Sequence, residues 1–319
     1  MTKILQIGSN FGLSHLKAAK NIKNFRITAI SSPNIGNKKI NSKINKYTNY
    51  KLAIQKEKPD IIFLAIPPKF QEKVLNFILY KNISLRAIFL EKPISTSYLK
   101  TKKLIKNLQK KNILFLVNFI FVQLNSFKKM IKLYDLKKVK EIDYKWYFRQ
   151  SYFENKIDTW KIRPSEGGGL INYYLIHVFY NLLCICKNLR IENFTVKRKK
   201  VLEEISIICR SGRKIINIHM HINSPKRLHE LKFVNYNDKV HFIRNKSKNW
   251  TKNFYFNIHK NLDKKNFSRV DLTKKNLSLL NKYIIGKKNS KNIENHYHLV
   301  LKAHSLCERV IIKLNNEKY

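Results

Sequence analysis

The sequence predicts an α/β fold: a doubly wound parallel sheet in the N-terminal third, then an α+β domain with a largely antiparallel open sheet. Two observations carry this. Over residues 1–119, short continuous apolar runs alternate with helical stretches, and continuous strands are those buried on both faces between helices. Beyond Val139 the apolar residues alternate, turn residues such as Ser211-Gly212 and Asn235–Asp238 separate the runs, and helical patterns are largely missing between them.

In the first part, strands are predicted over 3–8, 25–31, 60–66, 85–90 and 112–118, with helices over 12–22, 50–58, 69–80 and 97–110. In the second, strands are predicted over 139–148, 194–199, 204–209, 214–222, 228–234 and 239–243, and an apolar helix over 170–186. The tail repeats apolar positions at helical spacing (Ile293, Tyr297, Val300, Leu301, His304, Val310, Ile311), which predicts a terminal helix over about 292–315 packed back on the body. Two domains are expected, 1–119 and 120–319.

The 319 residues carry 65 Lys and Arg against 20 Asp and Glu, a formal charge of +45. Such a charge invites a nucleic-acid reading, but Lys dominates and is spread from end to end, and no aromatic RNA-binding signature or zinc finger is present. Abundant Lys, Asn, Ile, Phe and Tyr with eight Gly fit a strongly AT-biased genome. The expectation is no nucleic-acid partner and a field that draws in phosphates and nucleotide sugars. No run approaches the roughly 18 apolar residues of a membrane span, so no membrane partner is expected. The first residues already read as a strand, which leads to an expected cytoplasmic location. The four cysteines, Cys184, Cys186, Cys209 and Cys307, follow no metal spacing and read as buried thiols. His219 and His221 share a strand face without a third ligand, and His296 and His298 read as incidental, so no metal is expected.

Several segments carry chemistry. Gly8-Ser9-Asn10-Phe11-Gly12 joins the first strand to the first helix, where a phosphate-binding turn belongs. Gly8 permits the tight turn and Gly12 close helix packing, while Asn10 stands where a second Gly is usual. The second strand ends at Ser31 and Ser32 without the carboxylate that holds a ribose. With Lys38 and Lys39 nearby, this tilts the choice between NAD and NADP slightly toward NADP. Ile66-Pro67-Pro68 gives a stiff turn after the third buried strand. Glu91-Lys92-Pro93 delivers a Lys at the carboxyl edge of another, and Gly167-Gly168-Gly169 precedes a helix bearing His177.

Together with Val117-Asn118-Phe119 and Trp160-Lys161, and in this order, these segments resemble the Gfo/Idh/MocA oxidoreductases. The resemblance implies a Rossmann-type domain binding NAD or NADP, paired with an open-sheet domain, and hydride transfer at a sugar or nucleotide-sugar carbon. It makes Lys92 the residue at the reacting hydroxyl and His177 the proton acceptor. An imidazole with an ordinary pKa of about 6.5 suits that role. The cofactor side would comprise Gly8, Asn10, Phe11, Gly12, Ser31, Ser32, Ile66, Pro67, Pro68, Gln71, Glu91 and Lys92. The substrate side would comprise Asn118, Trp160, Lys161, Tyr173 and His177. Relatives assemble through the open sheet, so a homodimer or homotetramer is expected. On the catalytic side the sequence departs from the family at Tyr173 and Tyr180, which stand where carboxylates are usual. A phenol with a pKa of about 10 is a poor base. Three consequences stay open: a changed substrate, a reductive direction, or a non-catalytic nucleotide-binding protein that kept the fold.

Overall fold

The computed structural model describes residues 1–36, 38–133, 136–186, 188–246, 255–256, 267–286 and 290–316. The first sheet has six strands: β1 (Thr2–Ile7), β2 (Phe25–Ser31), β3 (Asn45–Tyr47), β4 (Ile61–Leu64), β5 (Ala87–Leu90) and β6 (Leu114–Val117). Their order is β3-β2-β1-β4-β5-β6 and each neighbouring pair is parallel. The chain builds outward from β1 to β3, then crosses back to place β4 on the other side of β1. Every residue of β4 and β5 is buried, as continuous apolar runs between helical layers require.

Helices α1 (Gly12–Ala19), α2 (Tyr50–Glu57), α3 (Pro68–Tyr80) and α4 (Tyr98–Lys110) connect these strands. Their starts follow local chemistry. The Asn49 side chain accepts from the Lys51 and Leu52 amides, Ser97 accepts from Lys100, and Pro68 opens α3 where no amide donor is needed. Helix α1 stops at Ala19, short of the predicted Ile22, and Asn24 takes a positive φ of 74° before β2 begins. Strand β3 was not predicted: it is a short edge strand, Asn-Lys-Tyr, with no apolar run to announce it.

The second sheet contains β7 (Val139–Arg149), β8 (Arg190–Arg198), β9 (Leu202–Ser211), β10 (Lys214–His221), β11 (Asn223–Asn235), β12 (Val240–Asn245) and β13 (Tyr255–Phe256). Its order is β13-β12-β11-β7-β10-β9-β8, with β7 and β10 parallel and the other pairs antiparallel. Along β10, Ile216, Ile218 and Met220 are buried while Ile215, Asn217, His219 and His221 face the other side, the period-2 pattern of a sheet covered on one face. The segment also carries α5 (Asn125–Leu133), α6 (Ser151–Glu154) and α7 (Ile176–Leu183). The single helix predicted over 170–186 is a π-helical turn, Leu170–Leu175, leading into the shorter α7.

Two further helices follow, α8 (Arg269–Ile284) and α9 (Ser290–Asn316). The chain divides into two compact units, Met1–Ile120 with Arg269–Leu301, and Phe121–Ser268 with Lys302–Tyr319. Helix α8 therefore joins the first unit, a contribution that a cut at residue 119 does not include. Leu277 and Leu280, both fully buried, pack with Ile4, Ala18, Phe63 and Phe89. In the same unit, the Tyr297 ring stacks on Phe115 at 3.8 Å and its hydroxyl accepts from the Phe115 amide at 3.0 Å. His296, expected to be incidental, accepts from the Val117 amide at 3.0 Å through Nε2, and burial pushes its pKa down to about 3. No described helix is long and apolar enough to cross a membrane.

Truncating Leu277 to Ala should destabilise the protein by about 2–5 kcal/mol, the usual cost of a cavity at a fully buried Leu. The exposed Lys282→Ala on the same helix should change stability by less than about 0.5 kcal/mol. Urea unfolding followed by circular dichroism reads both.

Candidate functional site

The strand order reverses between β1 and β4, and in doubly wound sheets ligands bind outside the carboxyl ends of strands at such a switch point. A cavity of about 400 Å3 lies there. It is walled by Ile7–Asn10 after β1, Ser31–Pro33 after β2 and Ala65–Pro67 after β4, with Phe70 and Lys73 from α3. The shape depends on Gly8. Its φ is +98°, and a Cβ there would land on the Ala65 carbonyl oxygen. Gly12 faces Gln6, whose Nε2 would lie 2.7 Å from an added Cβ, so α1 sits close against its strand. Ser9 donates to Ser32 Oγ at 2.9 Å, tying the turn after β1 to the end of β2. The first turn of α1 holds no acidic residue, and Phe11 gives it no side-chain cap. An uncapped helix start beside a Gly-permitted turn suits a phosphate group. The residues present therefore fit a dinucleotide, with Gly8, Ser9 and Asn10 at its phosphates and Ser31 and Ser32 toward a ribose.

Behind this turn lies a buried polar cluster at the end of β5. Glu91, 8% exposed, accepts through Oε1 from Asn118 Nδ2 at 2.9 Å and from Arg269 Nη2 at 3.4 Å, and it pairs with His15 Nε2 at 2.9 Å. Asn118 in turn accepts from Asn276 Nδ2 at 2.9 Å and donates to Thr273 at 3.3 Å. Burial pushes the Glu91 carboxyl pKa up, but the His15 hydrogen bond, the Arg269 charge and Asn118 outweigh this and hold it at about 2. Gln71, wholly buried, donates through Nε2 to the Glu91, Pro93 and Ile94 carbonyls at 3.0–3.2 Å. Gln71 and Asn118, expected to touch cofactor and substrate, thus brace the turn that carries Lys92. Lys92 itself is 6% exposed, so it is not an ordinary solvated lysine.

In the second unit, Gly168 approaches the Trp160 carbonyl so closely that a Cβ would collide with it. That contact fixes Trp160-Lys161 beside the glycine segment, and the Trp160 ring meets Tyr173 edge-on at 5.1 Å. His177, buried on α7, lies edge-on to Phe121 at 5.2 Å and to Trp146 at 6.0 Å. A π turn, Leu170–Leu175, carries Tyr173 ahead of His177 on α7. Its wider i→i+5 bonding breaks the strict one-turn register of an α-helix. Beneath His177, His229 stacks on Trp146 at 5.1 Å and bonds Tyr144 at 2.8 Å, which accepts from Asn181 at 2.8 Å. Burial lowers the His229 pKa to about 3. Tyr180, like Tyr144, is buried. Among the described residues no group of three or more His, Cys, Asp or Glu is placed to hold a metal, and His219 bonds Ser206 at 3.0 Å.

Sequence reasoning missed His15, Arg269, Tyr144, Asn181 and His229. A signal existed for His15, a polar residue on the otherwise apolar inner face of α1. No such signal marks Arg269, one basic residue among 65.

The cavity thus lies at the switch point of a doubly wound domain. Residues 2–119 match the model of the Gfo/Idh/MocA oxidoreductase family, NAD-binding Rossmann fold. Solved structures share the fold over nearly the whole chain. KijD10, a 3-ketoreductase from Actinomadura kijaniata in complex with NADP and TDP-benzene, superposes with a TM-score of 0.78 at 10% identity, covering 96% of each chain. Myo-inositol 2-dehydrogenase from Lactobacillus plantarum gives 0.74 at 16% identity, covering 97% of this chain and 96% of that one. A dehydrogenase (MviM) from Clostridium difficile gives 0.72 at 17% identity, covering 98% and 99%. No curated protein matches the chain in sequence.

The Glu91 value gives a test. Its folded-state pKa of about 2 lies below the ordinary 4.5, so its stabilisation is complete above about pH 4.5 and is lost as pH falls toward 2. At 1.36 kcal/mol per unit the amount is on the order of 3 kcal/mol. Denaturant unfolding of wild type should weaken over that window, and Glu91→Gln should show a shallower acid dependence. Identical slopes would exclude an ionised Glu91.

Proposed function

We propose that the chain is a cytoplasmic NAD(P)-dependent oxidoreductase that moves a hydride to or from a carbon of a sugar or nucleotide sugar. The observation that carries this is the cavity at the β1–β4 switch point, shaped by Gly8 against Ala65, in a domain that matches an NAD-binding oxidoreductase family. The NADP and TDP ligand of KijD10, and the inositol substrate in the name of the Lactobacillus enzyme, support the substrate class.

A nicotinamide held here supplies or accepts the hydride. The chain's own residues do the rest. In this reading Lys92 and His177 are the residues that act on the reacting hydroxyl. The Lys92 ammonium orients its oxygen, and the His177 imidazole takes the proton during oxidation or returns it during reduction. Trp160, Lys161 and Tyr173 line the substrate side. Tyr173 replaces the usual carboxylate, so it orients by hydrogen bonding rather than by accepting a proton. Ser31 and Ser32, with no carboxylate beside them, leave room for a 2′-phosphate and favour NADP. A role in surface polysaccharide or glycoconjugate synthesis fits a nucleotide-sugar substrate. The open sheet face, where Ile208 is 44% and Ile215 39% exposed, suits a homodimer or homotetramer.

NADH and NADPH titrations by fluorescence, followed by turnover of a nucleotide-sugar panel, test this reading. Lys92→Met and His177→Asn should each lower kcat by about 10²–10⁴-fold and leave the NADPH Kd within about threefold. Tight dinucleotide binding without turnover of any sugar would favour the non-catalytic reading that Tyr173, Tyr180 and Asn10 suggest.

A further inference from the structure

We propose that Arg269 is a cofactor-phosphate ligand, a cation brought to the dinucleotide turn from the far end of the chain. The inference rests on the nucleotide-binding reading above and extends it to a residue outside the matched domain.

Arg269 is the first residue of α8 and belongs to the first unit. Its guanidinium lies over the Phe11 ring at 4.3 Å and reaches Glu91 at 3.4 Å. Phe11 immediately precedes Gly12, the first residue of α1, so the guanidinium rests against the side chain of the residue that opens that helix. This end of a helix carries partial positive charge, and cations are disfavoured there. The first turn of α1 offers no carboxylate to offset it. Glu91 partly compensates, but it is also bonded by His15 and Asn118 at shorter distances of 2.9 Å. A positive helix end and a guanidinium resting on its opening residue are jointly satisfied by an anion.

The guanidinium is also equipped to take one. It has five N–H donors in a planar fork matched to phosphate, and the side chain is 35% exposed. The aromatic face and Glu91 together restrain it, which lowers the entropy lost when a ligand binds. Asn10 gives the need: it stands where a Gly would let the backbone approach the diphosphate, and Arg269 reaches the same turn with a side chain instead.

The test is equilibrium binding of adenosine, ADP-ribose and NADPH to the full-length protein. Arg269→Ala should weaken ADP-ribose and NADPH by about 10–100-fold, the range of a charge-assisted phosphate contact, and adenosine by less than about threefold. Arg269→Lys should recover part of the loss, and the fall of affinity with salt should be shallower in Arg269→Ala than in wild type. Equal weakening of all three ligands with a lowered Tm would show a structural ion pair and overturn the assignment, as would unchanged ADP-ribose affinity. Should Arg269→Ala fail to fold, Arg269→Gln is read against Arg269→Lys in the same way, equal ADP-ribose affinities in the two again overturning it. A wild-type protein that binds no dinucleotide would sink the proposed function as well, whereas wild-type binding that Arg269→Ala retains in full sinks the Arg269 assignment alone.

Discussion

The first unit is organised around one buried carboxylate. Glu91 ends a wholly apolar strand, and removing its charge from water would be prohibitive without partners. Three segments supply or support them: His15 from α1, Asn118 after β6, and α8, which brings Arg269 from its start and Thr273 and Asn276 behind Asn118. Their convergence fixes the first helix, the last strand and a distant helix relative to the turn that carries Lys92. Gln71 holds the same turn from the other side through three carbonyls. The backbone that carries the buried Lys92 is thus braced from both sides.

The nucleotide cavity rests on a different constraint, the close passage of two backbones. Gly8 and Ala65 touch where β1 and β4 diverge, and any side chain at position 8 would part them. Gly168 does the same in the second unit against Trp160. In both places the absence of a Cβ shapes the site, and the polar side chains are arranged around it.

The second unit pairs an apolar, aromatic environment with buried imidazoles. His177 rests on Phe121 and Trp146, and His229 below them is held neutral through physiological pH by burial. For His229 such surroundings disfavour the charged imidazole.

The sequence by itself determined the two sheets, because continuous and alternating apolar runs are direct consequences of burial on two faces or one. It also determined the turn at Gly8, the brace at Glu91-Lys92-Pro93 and the helix bearing His177, since each is marked by residues adjacent in the chain. Tertiary structure alone decided that Gln71 and Asn118 support the lysine turn, that His296 accepts from the Val117 amide, and that a π turn intervenes before His177. It also decided that α8 returns to the first unit and brings Arg269 to Phe11. The physical reason is distance along the chain. Periodicity and turn chemistry are local, whereas a hydrogen bond between residues 91 and 269, or 117 and 296, leaves no trace in the neighbourhood of either partner.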